Sequence, residues 1–118
     1  MKILVVDDDR LTRKVLETKL GILNYTIKTA NDAYSALTIL QQESFDLIIS
    51  DLMMPSMSGL NMVSIISQFI SVRVPVIIIS TARDKVTVES CTRLGVAHFL
   101  PKPIDLELLV SICQSYDK

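Results

Sequence analysis

Three short runs, KILVVD (residues 2–7), DLIIS (46–50) and PVIIIST (75–81), are apolar and largely β-branched, with no polar alternation. A strand with one wet face alternates. A run that does not alternate must be covered on both sides, as the inner strands of a parallel sheet are. Two further segments differ in texture. TIKTA (26–30) alternates and reads as an edge strand, and AHFL (97–100) reads as a short, weaker fifth strand.

Between these runs the apolar spacing becomes helical. Ala33, Ala36, Leu37 and Leu40 follow i, i+3, i+4, i+7, as do Leu106, Leu109, Val110 and Cys113. Asp9, Asp84 and Asp105 stand where N-caps of the first, fourth and fifth helices are expected. The first helix is expected to bury Leu11, Val15, Leu16 and Leu20, and the third, after Gly59, is apolar over much of its surface. Gly21 and Gly95 are expected helix stops. The fourth helix carries Val86, Thr87 and Val88, which are poor helix formers, so it is expected to be the least rigid. Five strands alternating with five helices predict a doubly wound α/β three-layer sandwich, (βα)5, with right-handed crossovers. Its parallel five-stranded sheet has order 2-1-3-4-5, a flavodoxin-like arrangement.

The bulk properties narrow the classes. The 118 residues predict one domain, 1–118, and 49% hydrophobic against 21% charged residues predicts a packed core rather than disorder. Twelve basic residues balance thirteen acidic ones, which gives no reason to expect nucleic acid as a partner. No apolar run approaches the ~20 residues of a membrane helix, and MKILVV opens the chain without a signal peptide. Cys91 and Cys113 lack metal-ligand spacing and read as small core residues. Together these features suit a reducing cytoplasm.

In such a sheet ligands sit beyond the carboxyl ends of the strands, at the switch point between strands one and three. Asp7 and Asp8 end strand one and Asp51 ends strand three, so three carboxylates converge. They cannot all be ionised and close without a compensating cation. Oxygen donors of this kind suit Mg²⁺, with Mn²⁺ as an alternative. Thr81 ends strand four and Lys102 follows strand five, adding a hydroxyl and an ammonium to the same edge. That set can hold a divalent ion and clamp a phosphoryl group, with one carboxylate as nucleophile. Asp9 is left as a helix cap.

VVDDD, DLMMPSMSG, STA before the fourth helix and LPKP, in that order, closely resemble the response regulator receiver domain of two-component signalling. The resemblance implies that Asp51 accepts a phosphoryl group from a histidine kinase or a phosphotransfer protein. It implies that Asp8 binds Mg²⁺ directly, Asp7 largely through water, and Met53 through its backbone carbonyl. Thr81 would hydrogen-bond the phosphoryl oxygen, Lys102 would pair with it, and the small Ala82 would leave it room. Pro103 would follow a cis peptide, and Phe99 would be the switch aromatic of a face formed by helix four, strand five and helix five. Ser58 stands where the family often has Asp, and Phe99 lacks the hydroxyl of a tyrosine.

Other expectations follow from particular residues. Met53 and Arg83 flank the site and are expected to hinder an attacking water, lengthening the phosphoryl lifetime. Arg10, Arg13, Lys14 and Lys19 make the first helix basic, either as a solvated face or as a docking face for the phosphoryl donor. His98 is expected to be an exposed edge residue. The domain is expected to be a monomer or a phosphorylation-dependent dimer, to act on an effector the sequence does not name, and to catalyse nothing beyond its own phosphoryl transfer and dephosphorylation. Opening at Met1, it reads either as a whole single-domain regulator or as the first domain of a longer one. Two rival classes stand beside this reading. One is an aspartyl-phosphate phosphohydrolase, disfavoured by Leu11 and by the lack of length for a substrate cap. The other is a receiver-like binding module that is never phosphorylated. A flavin-binding protein would need a hydroxyl- or Gly-rich loop where this chain is acidic.

Overall fold

The computed structural model describes residues 1–69, 74–82 and 84–117. Five strands alternate with five helices: β1 (Lys2–Val6), α1 (Arg10–Gly21), β2 (Thr26–Ala30), α2 (Ala33–Gln42), β3 (Leu47–Asp51), α3 (Gly59–Phe69), β4 (Val76–Ser80), α4 (Lys85–Arg93), β5 (His98–Pro101) and α5 (Leu106–Tyr116). All neighbouring strands are parallel and the order is β2-β1-β3-β4-β5, as the sequence predicts.

The unalternating runs are explained by cover on both faces. On one side Ile3, Val5, Leu47, Ile49, Ile77 and Ile79 pack with Leu16 and Leu20 of α1 and with Leu109 and Cys113 of α5. On the other, Leu4, Val6, Ile48 and Ile78 pack with Ala33, Ala36 and Leu40 of α2, Met62, Val63 and Ile66 of α3, and Cys91 of α4. Successive residues thus enter opposite cores, and β3 and β4 are buried along their whole length. Both cysteines are buried and free, and burial pushes the Cys113 thiol up to about 11. Among the described residues no helix is long and apolar enough to cross a membrane.

The caps are those the sequence marks. Asp9, Asp84 and Asp105 accept N–H bonds from Leu11, Thr87 and Leu108, and Asp32 adds a fourth cap at Ser35. Ser58 accepts the Asn61 N–H at 3.2 Å and so opens α3 where an aspartate would otherwise serve. Gly95 closes α4 with φ +85. Gly21 is instead the last residue of α1, and the positive φ in that turn belongs to Asn24.

Three expectations change. Leu11 is 70% exposed and Val15 is also exposed, so α1 buries only Leu16 and Leu20. β5 runs one residue later than AHFL, because its last register pair is Ser80 with Pro101. His98 is half-buried, and its ring meets Tyr116 edge-on at 6.0 Å between centroids.

Candidate functional site

The carboxyl ends of β1 and β3 bring Asp7, Asp8 and Asp51 together, and one carboxylate oxygen from each lies within 4.8 Å of the others. The register explains the meeting. Val6 of β1 pairs with Ser50 of β3, so the next residue on each strand is an aspartate at the same level. Asp7 and Asp51 are buried, whereas Asp8 is exposed at the mouth of the crevice.

Each acid has a different environment. Asp7 Oδ1 accepts the Asp9 N–H at 2.9 Å and its Oδ2 faces Lys102 Nζ at 3.3 Å, so both oxygens are engaged by the protein. Its backbone carbonyl accepts from Arg13 Nη1 at 2.8 Å. Asp51 is held from behind. The Ser50 hydroxyl donates to the Asp51 carbonyl at 2.8 Å, and a Cβ on Gly59 would come within 2.5 Å of that same carbonyl oxygen. Only glycine allows the loop from Met53 to Ser58 to close this tightly, with the Gly59 N–H bonded to the Leu52 carbonyl at 2.8 Å.

Electrostatics follow from this packing. Burial, and then the charge of Asp7, push the Asp51 carboxyl above its ordinary value of 3.8. Lys102 and backbone hydrogen bonds at Met53 and Leu52 oppose the rise without cancelling it. Lys102 Nζ lies 3.5 Å from Asp51 Oδ1. Burial pulls the Lys102 ammonium down, but Asp7 and Asp51 together outweigh it and its value is raised. Among the described residues, the Lys102 ammonium stands beside Asp7 and Asp51 while Asp8 adds a third carboxylate, so the acids outnumber the cation placed against them. Hard oxygens, one of them exposed at the entrance, fit a divalent ion such as Mg²⁺.

Thr81 is exposed, one residue past β4, and Ala82 is half-buried. The Lys102–Pro103 peptide is cis. The side chain of Met53 is 66% exposed beside Asp51. Phe99 is half-buried and packs on the core shared by α2, α3 and α4. Arg83 lies outside the described residues. Sequence reading missed Ser50 and Ser80, buried hydroxyls at the ends of β3 and β4. A serine closing an otherwise aliphatic strand is the signal that could have found them. It also took Arg13 for part of an outward basic face, whereas this guanidinium turns inward to the Asp7 carbonyl.

Comparison with known proteins identifies the family. Residues 3–114 match the family described as response regulator receiver domain. The sensor histidine kinase RcsC of Salmonella typhimurium is 36% identical over 92% of this chain, which spans 11% of that protein. The two-component response regulator ORR22 of rice is 36% identical over 97% of the chain, which spans 16% of that protein. The chain therefore spans under a fifth of these curated relatives. Among solved structures, the chemotaxis protein CheY4 of Vibrio cholerae superposes with a TM-score of 0.87 at 30% identity, covering 98% of this chain and 97% of that one. A response regulator receiver protein from Pseudomonas putida gives 0.92 at 30% identity, covering 97% and 95%.

Proposed function

Because the chain belongs to the response regulator receiver domain family of two-component systems, we propose that Asp51 is its phosphoacceptor, loaded by a histidine kinase or phosphotransfer protein. The observation that carries this reading is the convergence of Asp7, Asp8 and Asp51 within 4.8 Å, with Lys102 3.5 Å from Asp51. Asp51 Oδ attacks the phosphorus of a donor phosphohistidine. A P–O bond forms, the P–N bond breaks, and the electron pair leaves with the donor imidazole.

Asp7, Asp8, Asp51 and the Met53 carbonyl would hold Mg²⁺ or Mn²⁺. Exposed Asp8 suits direct ligation, and Asp7, with both oxygens already engaged, suits contact through water. When bound, the ion supplies positive charge against the transferring oxygens. Lys102 supplies a second fixed charge, Thr81 donates its hydroxyl to a phosphoryl oxygen, and Ala82 leaves space beside it. Movement of Thr81 toward the phosphoryl group would let Phe99 turn inward, reshaping the face of α4, β5 and α5 that an effector or a second copy reads. α4 buries only Cys91 and leaves Val86 70% exposed, which suits an adjustable face.

On this reading residues 1–118 form one receiver unit working in the cytoplasm. Its chemistry is confined to its own phosphoryl transfer and dephosphorylation, and Arg10, Lys14 and Lys19 of α1 offer charge to an acidic donor. Mass spectrometry after incubation with acetyl phosphate and Mg²⁺ tests the central claim. The parent should gain one phosphoryl group, which should not form when a chelator is present from the start and should be absent in Asp51→Asn. Uptake by Asp51→Asn as ready as the parent's would refute it.

A further inference from the structure

Ser80 ends β4 with no exposed surface, in a strand whose other residues are Val76, Ile77, Ile78 and Ile79. A hydroxyl in that setting costs stability unless it is hydrogen-bonded. Here its oxygen accepts the Ala82 N–H at 3.0 Å, closing a turn around Thr81. The backbone carbonyl of the same residue accepts the Lys102 N–H at 2.9 Å, just past the final Ser80–Pro101 pair of the sheet. The two groups that would grip the phosphoryl oxygens, Thr81 and Lys102 on separate loops, therefore hang from the polar atoms of one residue. Ser50, equally buried on the neighbouring strand, donates its hydroxyl back to the adjacent Asp51 carbonyl and, among the described residues, bonds to neither loop through it.

We infer that Ser80 is a positioning residue for phosphoryl recognition. Its hydroxyl fixes the backbone on the far side of Thr81, and so sets the Thr81 hydroxyl before a ligand arrives. Its carbonyl holds the start of the Lys102 loop. This rests on the phosphoacceptor reading of Asp51. An apolar residue at position 80 would leave the Ala82 N–H without its partner and Thr81 free to turn, so part of the binding free energy would go into ordering it.

The test is titration of the full chain with beryllofluoride in saturating Mg²⁺, followed by ¹H–¹⁵N NMR, for the parent, Ser80→Ala, Thr81→Ala and the double variant. Ser80→Ala should bind roughly three- to tenfold more weakly, the scale of one hydrogen bond. Its Ala82 amide should exchange faster, while its affinity for Mg²⁺ alone stays at the parent value. Because Ser80 acts through Thr81, the double variant should bind no more weakly than Thr81→Ala. Fully additive losses, a proportional fall in Mg²⁺ affinity, or unchanged binding by Ser80→Ala would each overturn the inference. If Ser80→Ala does not fold, Ser80→Cys keeps the shape with a weaker acceptor. It should fall between parent and Thr81→Ala, and parent-level binding would count against the idea. A parent that binds no beryllofluoride overturns the phosphoacceptor reading itself and this inference with it. A parent that binds, with Ser80 variants that match it, overturns this inference alone.

Discussion

Lys102 Nζ stands 3.5 Å from Asp51 Oδ1, longer than a firm hydrogen bond, and 3.3 Å from Asp7 Oδ2. The ammonium is shared between the two buried acids rather than committed to either. Burial, and then the charge of Asp7, raise the Asp51 carboxyl against the pull of Lys102, and the three clustered acids give the site its capacity for a further cation. Full burial of large aliphatic side chains such as Ile3, Ile49 and Ile79 stabilises by roughly 1.5–3 kcal/mol each. Several of these just below the acids offset the repulsion that the acids introduce.

The pH dependence of stability follows from Asp51. A carboxyl whose folded value lies above its unfolded one binds its proton more tightly in the folded state. Its contribution is therefore intact below the ordinary value of 3.8 and is lost as pH rises through the raised one. Above that window ionised Asp51 is a net cost, which Asp51→Asn removes. Without divalent ions the Asn variant should be more stable at pH 7 by roughly 1 kcal/mol, the common scale of one substitution. The gain should vanish near pH 3, where the parent's carboxyl is protonated in both states. Urea denaturation across pH measures this, and a gain independent of pH would contradict it.

Metal linkage should run the other way. An ion that binds only the folded chain at about one hundred times its Kd adds about 2.7 kcal/mol. Asp8→Asn removes the exposed donor. It should lose most of that increment while leaving the metal-free protein as stable as the parent or slightly more so. Denaturation with and without Mg²⁺ separates the two effects. An Asp8→Asn protein that keeps the full increment would place the ion elsewhere.

Much of this was legible in the sequence, for identifiable reasons. β1, β3 and β4 are covered on both faces, so their composition alone reports their place, and TIKTA alternates because β2 is an edge strand. The acids could be placed because strand order and strand ends together determine which residues share an edge. Less legible was whatever depends on contacts between elements. Leu11 fits the helical period of α1 yet is left exposed. Arg13 looks like its basic neighbours until the Asp7 carbonyl is seen within its reach. Ser80 shows its role only through hydrogen bonds to two loops, which no pattern within β4 encodes.

Gly59 offers a steric test of the loop behind Asp51. An added Cβ would lie 2.5 Å from the Asp51 carbonyl oxygen and 3.0 Å from Leu52 Cα. Both are backbone atoms and cannot swing aside. Gly59→Ala should therefore destabilise by about 1–3 kcal/mol, the range for overpacking. Because the displaced carbonyl belongs to the proposed acceptor, phosphoryl uptake should fall even where the variant remains folded. Ala at this position with parent stability in urea and parent uptake would show that the loop relaxes freely.

On the proposed reading, Met53 is expected to govern the last step, loss of the phosphoryl group. Hydrolysis of an acyl phosphate needs a water in line with the bond to Asp51, and Met53 follows Asp51 by two residues with its apolar side chain 66% exposed. A flexible thioether at that spot covers the approach and offers water little to bond with. Asn at the same position is shorter and has both a donor and an acceptor with which to hold the water. Met53→Asn should accordingly shorten the phosphoryl lifetime several-fold. It should leave the Mg²⁺ affinity unchanged, because any residue supplies the same backbone carbonyl. The decay of phosphorylated protein after removal of the donor, followed by intact mass, gives the rate directly. A lifetime equal to or longer than the parent's would mean that Met53 does not control access of water to Asp51.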